Sequence, residues 1–116
     1  MDNRELLDRM EQLGVDVSGS VERFVGNEDL YIKFLKKFPT DPNYEKTELA
    51  WSAQNYKDLL EYSHAMKGLT GNLGLAVMYD ALCDMVSDLR AGEHGRLADQ
   101  METIRQNYKA VCDLLK

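Results

Sequence analysis

The stretch Glu61–Leu75, EYSHAMKGLTGNLGL, contains one of the two histidines of the chain and three glycines within seven residues. The apolar residues around these glycines follow a helical period. Glycine in a helix interior costs about 0.5–1 kcal/mol relative to alanine. The helix is therefore weakened directly after His64, and the glycines there need an explanation.

In a helix, His64 lies on the side opposite the apolar residues of this stretch. A helix turns about 100° per residue, which places the apolar stripe between about 160° and 240° from His64. The stripe consists of Leu59, Tyr62, Met66, Thr70 and Leu73. Within about 60° of His64 lie Lys57, Leu60, Lys67, Gly68 and Gly71. We predict that these residues form an outer face, with a cation beside an exposed imidazole.

The glycines after His64 leave room beside its ring. Residues three and four apart are neighbours on a helix surface, so Gly68 removes the side chain that would crowd the ring, and Gly71 clears the next turn. We interpret both as allowing a bulky group to approach the imidazole. Gly71 and Gly74 could instead end the helix early, but apolar residues in register continue beyond Gly68.

An exposed histidine can act as a general base, a metal ligand or a nucleophile. A general base needs a second catalytic group and a pocket, and no such constellation is evident. A metal site needs several ligands, and the only other histidine is His94, in the loop AGEHGR. A nucleophile attacking phosphorus needs little else, because phosphoryl transfer depends on positioning and charge stabilisation that a partner can provide. A solvated histidine without a role is the alternative reading.

The first 40 residues predict three short helices. Leu6, Met10 and Leu13 mark the first, which ends at Gly14, and a second ends at Gly26. The second helix is predicted from Val17, Val21, Phe24 and Val25. Asn27 can cap the third, which Pro39 ends. In this helix one face is shared by Tyr31, Phe34, Leu35 and Phe38.

Four longer helices follow. Asp41 is the predicted N-cap of one reaching about Ala53, and Asn55 with Asp58 resembles a capping box that opens the helix carrying His64. The last two helices run from Leu75 to near Gly92 and from Leu97 to Leu115. Short polar connections favour antiparallel neighbours. We predict one all-α domain over residues 1–116, with an antiparallel up-down four-helix bundle core and short N-terminal helices packed across it.

The composition limits the classes of partner. The net charge is −6, which argues against nucleic acid or an anionic membrane as the main partner. No apolar run approaches the roughly 20 residues of a membrane span, and the acidic, amphipathic start does not resemble a signal peptide. Cys83 and Cys112 lie far apart, without metal-type spacing, and are predicted to be reduced thiols. We expect a cytoplasmic domain.

The segment HAMKGLTGNLG closely resembles the signature of histidine-containing phosphotransfer (HPt) domains. That signature has a phosphorylated histidine, a hydrophobic residue two positions on, then lysine and glycine, a small residue at the sixth position and a glycine at the tenth. The matching residues here are His64, Met66, Lys67, Gly68, Thr70 and Gly74. The likeness covers about Val15 to Gly92, with departures at Leu69 and at Met85-Val86.

The resemblance implies a multistep phosphorelay in which His64 takes a phosphoryl group from one receiver-domain aspartate and passes it to another. Lys67 would neutralise the phosphoryl charge, and Gly68 would give the receiver room. Lys57, Leu60 and Gly71 complete the predicted docking face. The partners would be receiver domains of response regulators or hybrid sensor kinases, which would carry the Mg²⁺. The domain itself would have no cofactor and no kinase activity, and we expect a monomer.

Two other functions have less support in the sequence. A non-catalytic adaptor could use the same fold for protein binding, but it would be free to lose His64, Lys67 and Gly68. A small hydrolase or metal enzyme has little support, because no paired acid and base or ligand cluster is visible.

Overall fold

The computed structural model describes all residues, Met1–Lys116, and contains helices but no strands. The prediction of an all-α chain is confirmed. The helices are α1 (Asn3–Gln12), α2 (Val17–Arg23), α3 (Glu28–Lys37), α4 (Asn43–Ser52), α5 (Tyr56–Leu73), α6 (Ala76–Arg90) and α7 (Leu97–Leu115), with a 3₁₀ turn at Phe38–Thr40. None of these helices combines the length and the apolar character that crossing a membrane requires.

Side-chain caps fix where most of the helices begin. Asp2, Asp16, Asn27 and Asn55 each accept a hydrogen bond from the backbone N–H three residues on. The predicted pairing at α5 is present, since Asn55 Nδ2 also donates to Asp58 Oδ2 at 2.8 Å. At α4 the cap shifts by one residue, because Asp41 Oδ1 accepts from the N–H of Asn43 at 2.9 Å while Pro42 occupies the N-cap position.

The last four helices pack in chain order, α4 on α5, α5 on α6 and α6 on α7. Helix α7 also contacts α4, where Arg105 pairs with Glu48 at 2.8 Å and the rings of Tyr44 and Tyr108 stack with centroids 3.6 Å apart. The predicted apolar stripe of α5 faces the core. Leu59, Met66, Thr70 and Leu73 are buried and Tyr62 is half-buried. This packing leaves His64 on the solvent side.

The N-terminal helices attach to the C-terminal end of α5 through its backbone carbonyls. Arg23 Nη2 donates to the carbonyls of Gly71 and Asn72, at 3.0 and 3.2 Å. The Tyr31 hydroxyl donates to the carbonyl of Leu73 at 2.8 Å, and the N–H of Asp16 donates to that of Gly74 at 2.9 Å. Carbonyls at the end of a helix lack partners within the helix. Here Asp16, Arg23 and Tyr31 supply the hydrogen-bond donors.

Gly74 is required at this junction for two reasons. Its φ of +72° lies in the left-handed region, which side chains other than glycine's rarely adopt. A Cβ there would also collide with Ser20 Oγ and would lie 2.6 Å from the carbonyl oxygen of Asp16. The predicted break at Gly74 is therefore also the place where α2 contacts the end of α5.

Two apolar residues used to predict the N-terminal helices are exposed. Val25 is 93% exposed, because α2 ends at Arg23 and Val25 takes a left-handed φ of 58° in the turn that leads to α3. Phe34 is 41% exposed. The buried face of α3 is centred on Tyr31, Ile32 and Leu35, and Phe34 lies about 100° from Leu35, at the edge of that face.

A buried carboxylate joins α6 to α7. Asp88 accepts two hydrogen bonds from Arg96, at 2.8 and 3.0 Å, and one from Gln100 at 2.9 Å. These donors, Arg96 first and then Gln100, hold the pKa of the Asp88 carboxyl below its usual range. Hydrogen bonds to the charged form compensate for its removal from water, so these three hydrogen bonds to Asp88 fix the loop between the two helices.

We predict that Tyr31→Phe destabilises the protein by about 1–3 kcal/mol, because it leaves the buried carbonyl of Leu73 without its donor. Urea unfolding monitored by circular dichroism measures the loss. Tyr62→Phe is the control, since the Tyr62 hydroxyl forms no hydrogen bond and its ring remains in place under Lys46. Equal stability of the two variants would contradict the proposed role of Tyr31 in attaching α3.

The raised pKa of Tyr31 predicts that the free energy of unfolding falls at alkaline pH. Burial raises the pKa of Tyr31 to about 12, above its value of about 10 in an unfolded chain. Its contribution to stability is fully present below about pH 10 and is lost as the pH rises through about 12. Between these values the free energy of unfolding should fall more steeply for the wild type than for Tyr31→Phe. Parallel pH profiles would show that Tyr31 does not titrate with unfolding.

Candidate functional site

His64 lies near the middle of α5 with its side chain exposed. The neighbouring serine and threonine hydroxyls form hydrogen bonds to carbonyls of α5 and not to His64. Ser63 Oγ donates to the Leu60 carbonyl and Thr70 Oγ1 to the Lys67 carbonyl, both at 3.2 Å. The His64 side chain takes part in no hydrogen bond or ion pair, so both ring nitrogens are available to an incoming group.

Two lysines flank the histidine on the same helix. Lys67 is half-buried, and Lys57 is exposed. Neither belongs to any of the five ion pairs of the chain. Lys67 stands three residues after His64, a spacing that makes the two side chains surface neighbours. The site therefore combines a free imidazole with a cation that no carboxylate has neutralised.

Gly68 occupies a position where the fold itself does not require glycine. A Cβ built on Gly68 would meet no atom within 4 Å, and its backbone has ordinary helical geometry. Alanine would therefore fit and would favour the helix by about 1 kcal/mol. The packing of this chain therefore does not explain why residue 68 is glycine. The explanation has to come from a molecule that approaches this face from outside.

Gly71 differs from Gly68, and here the structure changes the interpretation made from the sequence. A Cβ on Gly71 would lie 2.8 Å from Cε1 of the Tyr79 ring, which α6 lays across this turn of α5. The close packing of α5 against α6 therefore accounts for Gly71. Its proposed role in clearing space for a partner is no longer needed to explain its presence.

Leu60 also departs from the sequence-based description. It is half-buried and packs against the hydrophobic core instead of standing free on the outer face. On α4, Leu49 is a large apolar side chain that is 62% exposed. Leu49 lines a groove of about 240 Å³ between α4 and α5, together with Lys46, Asp58 and Tyr62. Helix α4 buries only Thr47 and Ala50. Its sequence therefore has no clear apolar period from which the exposure of Leu49 could be predicted.

The second histidine is not part of this site. His94 stacks on Tyr56, with ring centroids 3.8 Å apart. Tyr56 is the first residue of α5, eight residues or about 12 Å along the axis from His64. No group of three or more histidine, cysteine, aspartate or glutamate side chains is arranged to hold a metal ion.

No family model matches the chain, and no curated protein or solved structure does. The site is therefore defined by its own geometry: an unpaired exposed histidine, a neighbouring lysine and an unhindered glycine on one helix face.

We predict opposite effects of alanine at the two glycines. Gly68→Ala should stabilise the protein by about 0.5–1 kcal/mol, because the methyl group enters open space in a helix interior. Gly71→Ala should destabilise it by about 1 kcal/mol, because crowding against Tyr79 outweighs the gain in helix propensity. Urea midpoints measure both effects.

The cause of the Gly71 effect can be isolated with a double-mutant cycle. In a Tyr79→Leu background the obstructing ring is absent, so the cost of Gly71→Ala should shrink or change sign. A cost that is unchanged in that background would mean that Tyr79 does not determine the need for glycine at position 71.

Proposed function

We propose that this protein is a histidine phosphotransfer protein of a multistep phosphorelay, which carries a phosphoryl group on His64 between the aspartates of receiver domains. The observation that carries the proposal is the pairing of an exposed, unpaired His64 with Gly68, where a side chain would fit and none is present. A protein surface that must bring its phosphoryl group to the ring would need that open space. The resemblance of residues 64–74 to the HPt signature agrees with this reading.

The proposed reaction needs no base from this chain. An imidazole nitrogen of His64 attacks the phosphorus of an aspartyl phosphate with its lone pair, the N–P bond forms, and the P–O bond to the aspartate breaks. The aspartate leaves as a carboxylate with the electron pair, and the imidazole proton passes to solvent. Transfer to the next receiver reverses these bond changes. The Mg²⁺ that neutralises the phosphoryl oxygens belongs to the receiver in this scheme.

Lys67 assists the transfer in this proposal without determining it. Two unit charges about 4 Å apart attract by about 1 kcal/mol in water and about 4 kcal/mol at an effective dielectric constant of about 20. Lys67 is half-buried and His64 is exposed, so the lower figure applies to the free protein. The larger one is approached when a docked receiver excludes water.

The proposal includes the relative direction of the last four helices. The contacts favour an antiparallel bundle of α4, α5, α6 and α7. On α4 the contact residues ascend from Tyr44 to Glu48, while their partners on α7 descend from Tyr108 to Arg105. The turn of α5 at Gly71 faces Tyr79 on the first turn of α6. We propose a single, monomeric, cytoplasmic domain without kinase activity or a cofactor of its own.

The experiment compares two phosphoryl donors of different size, phosphoramidate and a phosphorylated receiver domain. We predict that Gly68→Met slows transfer from the receiver by about tenfold, equivalent to about 1.4 kcal/mol, and leaves phosphorylation by phosphoramidate unchanged. Methionine is a good helix former, so the fold should persist. Lys67→Ala should slow transfer from the receiver by a few-fold. The rate of phosphohistidine formation is the readout.

Gly95→Met is the matched control, because a Cβ at Gly95 also meets no atom within 4 Å and its φ is not left-handed. It should behave as the wild type with both donors. Equal slowing by Gly68→Met with both donors would mean that Gly68 serves the histidine and not a protein partner. Failure of several receivers from the same source, and of phosphoramidate, to phosphorylate the wild type would refute the proposal and favour the adaptor function.

A further inference from the structure

Tyr79 differs from the other five tyrosines of the chain in what its ring contacts. It is half-buried on the first turn of α6, but it packs against no part of the hydrophobic core and pairs with no other aromatic ring. The other five tyrosines belong to the core or pack against it: Tyr31, Tyr44, Tyr56, Tyr62 and Tyr108. The core therefore does not explain why residue 79 is aromatic.

The ring of Tyr79 lies directly against the backbone of α5. This contact exists because residue 71 is glycine, since a Cβ there would lie 2.8 Å from Cε1 and 3.1 Å from Cδ1 of the ring. Helix α5 thus has a poor helix former at position 71, next to a ring that is only half-buried. Part of the ring stays open to solvent, because Tyr79 also lines a hollow of about 520 Å³ at the end of α5.

The open space over Gly68 lies between His64 and this ring. Residues three or four apart on a helix have Cβ positions about 5–6 Å apart, so Gly68 is a neighbour of both His64 and Gly71. His64 and Gly71 are separated by about 10.5 Å along the axis of α5 and by about 20° around it. The imidazole and the Tyr79 ring therefore form the two ends of a slot with Gly68 at its floor, the Gly68 slot.

The Gly68 slot favours an apolar occupant. Its floor offers no free hydrogen-bonding group, because the backbone N–H and C=O of a residue inside a helix are paired within that helix. One of its ends is the aromatic ring of Tyr79. Apolar atoms in contact lie about 4 Å apart, so a slot about 10 Å long has room for one side chain.

The Gly68 slot also lies within reach of any protein that docks on His64. A standard interface covers about 800 Å² of each partner, which extends about 16 Å from its centre. The ring of Tyr79 contacts α5 at Gly71, about 10.5 Å along the axis from His64, and so falls inside such an interface. Tyrosine is among the residues that contribute most to binding energy at interfaces.

We propose that the receiver domain inserts one apolar side chain into the Gly68 slot, against the ring of Tyr79. This inference rests on the phosphotransfer function proposed above, and it assigns Tyr79 a part in holding the receiver. Tyr79 takes no part in the bond changes at His64. A receiver without an apolar side chain at the matching position would be held less tightly, so Tyr79 contributes to the choice of partner.

The experiment measures phosphoryl transfer to the protein as a function of the concentration of a receiver domain that phosphorylates the wild type. Tyr79→Ala should raise the concentration for half-maximal rate by about tenfold, because an anchoring contact of the interface is lost. The maximal rate should change by less than about twofold, since the lost contact affects binding and not the chemical step. Phosphorylation by phosphoramidate should be unchanged. Alanine is a good helix former, so the fold should persist.

Two single variants serve as controls. Tyr79→Phe keeps the ring and should behave as the wild type with both donors. Val77→Ala removes another partly exposed apolar side chain from α6, on the side that faces α7, and it should also leave the half-saturating concentration unchanged.

A double variant tests whether Gly68 and Tyr79 contact the same side chain of the receiver. In Gly68→Met the slot is already filled, so adding Tyr79→Ala should have little further effect on transfer from the receiver. Effects of the two substitutions that multiply as independent factors would contradict a shared slot.

An unchanged half-saturating concentration for Tyr79→Ala, with a receiver that phosphorylates the wild type, would overturn this inference and leave the phosphotransfer function standing. Equal slowing of Tyr79→Ala with the receiver and with phosphoramidate would also overturn it, because the ring would then act on His64 or on the fold. Failure of every receiver and of phosphoramidate to phosphorylate the wild type would refute the phosphotransfer function, and the docking contact with it.

Discussion

The structure depends on how the C-terminal end of α5 is completed. Its last carbonyls, from Gly71 to Gly74, receive hydrogen bonds from Arg23, Tyr31 and the backbone of Asp16, and the Thr70 carbonyl accepts from the N–H of Leu75 at 2.9 Å. A helix end buried without such donors would be strongly unfavourable. The N-terminal helices therefore complete α5 and are positioned by it at the same time.

This arrangement separates the structural glycines from the one that the fold does not need. Gly74 has a left-handed backbone and lies against Ser20 and Asp16, and Gly71 lies under Tyr79. Both are explained by contacts within the chain. Gly68, one turn after His64, has no such contact. A single helix thus combines a firmly attached end with an exposed segment around His64, which suits a residue that must be presented to another protein.

Much of this could be predicted from the sequence, because it depends on local periodicity. The helical count placed His64 and Gly68 on the outer side of α5 and Leu59, Met66 and Leu73 in the core, as the structure has them. Capping residues located the starts of α3 and α5, at Asn27 and Asn55, and that of α4 to within one residue. The partial burial of Leu60 and the contact of Gly71 with Tyr79 depend on how separate helices meet. No count along one helix contains that information.

The measurement that tests the central claim most directly is the intact mass of the protein after incubation with a phosphorylated receiver domain, for the wild type and for His64→Gln. The account predicts the gain of one phosphate by the wild type, its loss on acid treatment, and no gain by the variant. Glutamine retains bulk and polarity at this exposed position, so the fold should be unaffected. A phosphate that the variant also acquires, or one that survives acid, would contradict the assignment of His64 as the phosphoryl acceptor.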